Sequence, residues 1–254
     1  MIRYVFAIVL SVASFSQAAL SEKSNVDEIL QALEARGQEL HDFTANVTLT
    51  STDLNTMDAP VRDGKVWFQS QPSGDTRIRV TFDKLTVDGK PGRADKTEYL
   101  LEKEWLIDRN YNKKQEIKRQ IQRPGEKTNL LKLGEGPFPL PIGQPPADVR
   151  KQFEVQQVDP KQDVEGDPPP NTLRLQLTPH EGTRIANKFS RIDVWVDVSN
   201  SMPRRIEVTD RNETMIQTTD LLDLKLNKGI DDADFELSKI GDDWHTATET
   251  FDDE

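Results

Sequence analysis

His41, His180 and His245 are the chain's three histidines. They stand too far apart for the HxH or HExxH spacings that hold zinc. Cysteine is absent, which removes thiolate metal sites and disulfides together. No G-x-S-x-G elbow presents a serine nucleophile, and no glycine-rich phosphate loop follows a strand. Asp231, Asp232 and Asp234 superficially resemble a cation site, but they lack the glycine alternation and terminal glutamate of a calcium loop. Asp242 and Asp243 read as a solvated turn. With 44 acidic residues in the chain, close carboxylate pairs arise without any chemistry. The expectation is a protein that is not an enzyme, with no catalytic residues, no metal and no cofactor.

One stretch mixes aromatic with basic groups, from Trp105 through Arg109 and Tyr111 to Lys113 and Lys114. It reads either as a contact surface for a partner or as a strand pair with a solvated basic face. The second reading is preferred, because cross-strand aromatics and charges commonly stabilise exposed sheet faces.

The elements that position these groups begin with a leader. Arg3 supplies a positive start, Val5 to Val12 an apolar run, and Ser16-Gln17-Ala18 the small residues of a cleavage site. The run is too short to span a bilayer. Residues 1–19 are therefore expected to be a signal peptide, and residues 20–254 a single exported domain. The net charge of −11 argues against nucleic acid or an anionic membrane surface as a general partner. The mature length suffices for a sizeable core without staples.

Helical spacing of Val26, Ile29, Leu30 and Leu33 behind Ser24 predicts an amphipathic helix, with Asp27 as a capping-box partner and Gly37 weakening the last turn. Almost everything later alternates as strand. Ala45, Val47 and Leu49 share a face, as do Val66 and Phe68, and again Ile78, Val80 and Phe82, with Arg77 and Arg79 opposite. About eleven strands without a βαβ rhythm predict meandering antiparallel sheet. Segment 123–146 breaks the pattern: it holds six of the fifteen prolines yet six large apolar residues. It reads as a structured loop packing over something apolar, followed by a short helix begun at Pro145-Pro146.

So wide a sheet must curl or close, and a curled sheet encloses space suited to a hydrophobic ligand. The expected fold class is mainly β with few helices, a curved antiparallel sheet covered by the N-terminal helix and a loop/helix lid. Val47, Leu49, Val66, Phe68, Ile78 and Val80 are expected to line its concave side, with Leu140 and Ile142 at the mouth.

Several segments together carry a family likeness: Phe43-Thr-Ala-Asn-Val, Gly64-Lys-Val-Trp-Phe, Tyr99-Leu-Leu-Glu-Lys-Glu-Trp-Leu-Ile-Asp, Asp193-Val-Trp-Val-Asp and Met202-Pro-Arg-Arg-Ile-Glu-Val. With the leader and the first helix, they resemble the outer-membrane lipoprotein carrier (LolA-like) proteins. The resemblance implies an unclosed β-barrel in the periplasm that holds lipoprotein acyl chains or lipid as a monomer, between membrane-bound donor and acceptor proteins. It also implies an arginine that tethers the lid, for which Arg77 and Arg79 are the candidates; Gln71-Pro72 stands where the family commonly has Arg-Pro. A similar half-barrel serves envelope sensors that bind a membrane partner, which is the alternative reading.

Overall fold

A computed structural model describes residues 20–70, 76–93, 95–123, 142–164 and 166–250. Helix α1 (Val26–Glu39) leads into a first meander of β1 (Asp42–Asp53), β2 (Val61–Ser70), β3 (Thr76–Val87), the two-residue β4 (Lys90–Pro91), β5 (Thr97–Glu102), β6 (Trp105–Asn110) and β7 (Gln115–Gln120). After α2 (Pro146–Gln152) comes a second meander of β8 (Phe153–Val158), β9 (Thr172–Pro179), β10 (Phe189–Asp197), β11 (Pro203–Asp210) and β12 (Met215–Leu226). A 3-10 turn at Asp232–Phe235 and β13 (His245–Glu249) complete the described chain. These thirteen strands exceed the eleven read from the sequence by β4 and β13, neither of which has an apolar alternation to announce it.

All thirteen strands belong to one curved sheet, ordered β13-β7-β6-β5-β3-β2-β1-β12-β11-β10-β9-β8, with β4 hanging on β3. The two meanders join where β1 meets β12, from Phe43 opposite Leu226 to Asp53 opposite Met215. Among the described strands, β13 and β8 are the two ends and do not pair with each other, so the barrel is unclosed. Register shifts in the β1–β12, β2–β3 and β10–β11 ladders mark bulges, which bend a strand and increase its twist. The bulge at Gly64 depends on its residue type: a Cβ there would stand 1.7 Å from the Thr81 carbonyl oxygen.

Helix α1 begins one residue later than the sequence suggests. Asn25, not Ser24, is the cap, accepting from the Glu28 amide at 3.1 Å while the Glu28 carboxylate accepts from the Asn25 amide at 2.9 Å. This is the reciprocal capping box that satisfies two orphan amides. Ser24 instead closes the preceding turn, its hydroxyl accepting from the Ser21 amide. The buried stripe Ile29, Leu30 and Leu33 packs into the same core as Ala45, Ile192 and Val194, and α1 also rests on α2 and β8. Gly37 serves contact rather than flexibility. A Cβ on it would come within 2.2 Å of the Gly143 Cα, and the Gly143 amide donates to the Leu33 carbonyl at 3.0 Å.

A candidate ligand cavity on the inner face

The residues that face inward from the two meanders do not all meet. Between them lies a cavity of about 510 Å³, within the range typical of small-molecule sites. Strand β1 contributes Phe43, Val47 and Leu49, β2 contributes Val66, and β3 contributes Ile78, Val80 and Phe82. The far wall comes from Ile206 and Val208 of β11 and Leu221 of β12. Strand alternation explains why all of these share one side: each is an even step from the next along its strand.

Of the residues singled out from the sequence, Val47, Leu49, Val66, Ile78 and Val80 border this space. Phe68 does not: it is 3% exposed and stacks on Phe43 with centroids 5.2 Å apart, within packed core beside the cavity. Ile142 is not at a mouth. It is fully buried, next to the Gly143–Gly37 contact against α1. Leu140 lies outside the described residues.

The sequence reading did not single out the polar end. Arg62, Asp95, Thr97, Tyr99, Asp108, Asn110 and Arg119 border the cavity toward β5, β6 and β7. The signal available was the inward alternation of Thr97 with Tyr99 and of Leu106 with Asp108. Arg62 pairs with Asp95 at 3.5 Å, and Arg119 with Glu249 at 2.5 Å. Burial raises the Asp108 carboxyl above its ordinary range, against the opposing pull of Arg119 and Lys113. Burial likewise raises the Tyr99 phenol, and the neighbouring Asp108 adds to the effect.

The outer face of the same strands is tied down by arginines. Arg77 and Arg79 lie there and not over the cavity. Arg77 donates to the Gln69 side-chain oxygen, pairs with Asp232 and lies 4.0 Å from the centroid of the Phe235 ring. Arg79 donates to the Asp234 carbonyl at 2.7 Å and pairs with Glu98 at 3.0 Å. Arg109 reaches the Ser238 carbonyl at 2.7 Å. What the two candidates tether is therefore the segment 231–238, whose Phe235 closes a small cluster with Trp67 and Leu100. Asp231 caps the 3-10 turn by accepting from the Ala233 amide. The acidic run thus has a structural use. Among the described residues, no three His, Cys, Asp or Glu side chains come together as metal ligands would.

A second outer cluster sits on β9–β12. Arg174 and Asp193, each with a side chain 1% exposed, pair at 2.8 Å. The Arg174 guanidinium lies 4.5 Å from the Trp195 ring centre, and Arg205 lies 5.8 Å from the same ring. The loop after β8 covers them: Trp195 donates its indole N–H to the Pro160 carbonyl at 3.1 Å, and Arg174 reaches the Gln162 carbonyl. In the stretch 105–114 Lys113 and Lys114 are exposed, as on a solvated basic face, whereas Arg109 is buried. Lys118 lies over Trp105, and Tyr111 meets Trp244 edge-on at 5.1 Å.

No protein-family model and no curated protein matches the sequence. The fold aligns with solved structures at low identity. One is a chain of the Pseudomonas aeruginosa MucA/MucB complex (9% identity, TM-score 0.46), where the alignment takes in 85% of this chain and 62% of that one. An uncharacterized conserved protein from Thermus thermophilus aligns at 12% identity and TM-score 0.48, over 87% of this chain and 98% of that one. A LolA-superfamily protein from Nitrosomonas europaea aligns at 14% identity and TM-score 0.38, over 84% and 98% of the two chains.

Proposed function

We propose that this protein is a non-catalytic binder that holds the apolar chain of a lipid or acylated protein in its inner-face cavity. The observation that carries the reading is the cavity itself, an unfilled space floored by aliphatic side chains from β1, β2, β3, β11 and β12. At about 0.8 kcal/mol per buried methylene, a chain with ten carbons inside contributes about 8 kcal/mol before the cost of immobilising it. That is enough for useful affinity without any covalent step. The leader and the LolA-like residue pattern support a periplasmic site of action, where a monomeric carrier would receive cargo from one membrane-bound partner and yield it to another. Among the described residues, no helix is long and apolar enough to cross a membrane.

The test is binding of a fluorescent acyl probe to the mature protein. Wild type should bind it, and Leu49→Glu should abolish binding. Leu49 borders the cavity and is only half-buried, so the charged variant should keep its circular dichroism spectrum. A folded wild type that binds no acyl probe would sink the reading.

A further inference from the structure

Beside the polar end of the main cavity lies a recess of about 140 Å³, and Thr97, Tyr99, Asp108 and Asn110 border both spaces. Asp108 sits at the junction, opposite Tyr99 of β5 and Ile117 of β7 in the ladder. The other charged groups bordering the main cavity are already neutralised inside the protein. Arg62 has Asp95, which also accepts from Asn112 at 3.3 Å, and Arg119 has Glu249. Asp108 makes no hydrogen bond or ion pair with any described residue. Lys113, exposed at the rim of the recess, stays out of ion-pair range of it.

A half-buried carboxylate without a partner carries a desolvation penalty that a guest can relieve. The guest must enter as a hydrogen-bond donor, and a cationic donor forms a bond about twice as strong as a neutral one. An anionic head would meet repulsion at the same place. We propose that the guest is an amphiphile whose head carries a protonated amine, which seats in the recess against Asp108 while its chain fills the aliphatic cavity. This rests on the cavity being a chain-binding site. Raised proton affinity of Asp108 is the same penalty seen from the other side.

Dodecylamine and laurate, matched in chain and used below their aggregation concentrations at pH 7, test the proposal by displacing a bound environment-sensitive fluorophore. Wild type should prefer the amine by about ten-fold or more, a difference of about 1.4 kcal/mol. In Asp108→Asn the two affinities should converge, and Lys113→Glu, altering an exposed rim residue, should widen the preference. Equal binding of both probes by wild type overturns the amine assignment while leaving the chain-binding site in place. So does a preference that survives Asp108→Asn, or one that narrows in Lys113→Glu. Failure of both probes to bind folded wild type overturns the chain-binding reading and this proposal with it, and binding of laurate alone overturns the amine assignment.

Discussion

Val80 and Arg79 are neighbours in β3, yet they belong to two different kinds of protein surface. Val80 borders the cavity on the inner face, where aliphatic side chains from both meanders stop short of each other. Arg79 lies on the outer face, bonded to Glu98 and to the Asp234 carbonyl, beside the Trp67 ring. On the outer face polar groups are crowded and paired: the Arg174–Asp193 bridge is buried almost completely. The usual assignment of apolar packing to the inside and loose charge to the outside is partly exchanged here. A sheet that keeps empty space within must draw rigidity from elsewhere, and arginine–tryptophan stacks under residues 160–162 and 231–238 supply it.

The largest expected effect follows from that contrast. Trp195→Ala removes the ring between Arg174 and Arg205 and should cost about 3–5 kcal/mol, as for a large core aromatic. Urea midpoints at pH 7 measure it, and a cost below that of an inner cavity residue would overturn the comparison. Arg77→Ala should come next. Losing hydrogen bonds from a charged donor should cost about 1.5–3 kcal/mol. It should also speed hydrogen exchange in residues 230–250 well before the rest of the sheet, since local opening follows lost local contacts. Leu49→Ala, at the cavity wall, should fall at or below about 2 kcal/mol, the low end for such truncations, because the side chain already borders space. If it costs as much as Trp195→Ala, the cavity is closed in solution.

Acidification gives the smallest and most directional effect. Burial works to raise Glu98, but hydrogen bonds from Tyr111 and Arg79 and the charge of Lys96 outweigh it and lower its proton affinity. A carboxylate lowered on folding stabilises above its unfolded pKa of about 4.3 and loses that contribution as pH falls through its folded value. Burial raises Glu207, and the charge of Asp193 adds to it, so its penalty is present at neutral pH and relieved on acidification. Glu98→Gln should therefore flatten the acid decline of the urea midpoint, whereas Glu207→Gln should raise the midpoint at pH 7. The opposite signs would mean that the Glu98 carboxylate is held charged at a cost and that Glu207 is the one stabilised by its partners.

Much of the inner face was legible because its signal is the simplest one a sequence offers. Val47 with Leu49, Ile78 with Val80 and Val66 two before Phe68 all fall in alternation, and alternation fixes a face. It does not fix depth along the sheet, which is why Phe68 proved to be packed core and Val66 cavity wall. The cluster on the outer face was not legible for a related reason. Arg174 and Asp193 alternate with Leu175 and Val194 as solvent residues would, and nothing in a strand's period tells water from a covering loop. Arg77 and Arg79 were singled out as tethers, but which segment they hold depended on where residues 231–238 return. β13 could not be foreseen: His245–Glu249 is exposed throughout and pairs with β7 as a parallel edge strand.

The seam between β1 and β12 has a kinetic consequence. Every other antiparallel pairing in the sheet joins strands that follow closely along the chain, so each meander can assemble from short-range hairpins. The seam alone brings Phe43 to Leu226, and its loop must close across nearly the whole domain. Loop-closure entropy grows only slowly with length, but the search for such a distant pairing slows folding disproportionately. Two independently formed half-sheets should therefore precede the joined one, with the inner cavity, which draws walls from both, coming into existence only in the last step.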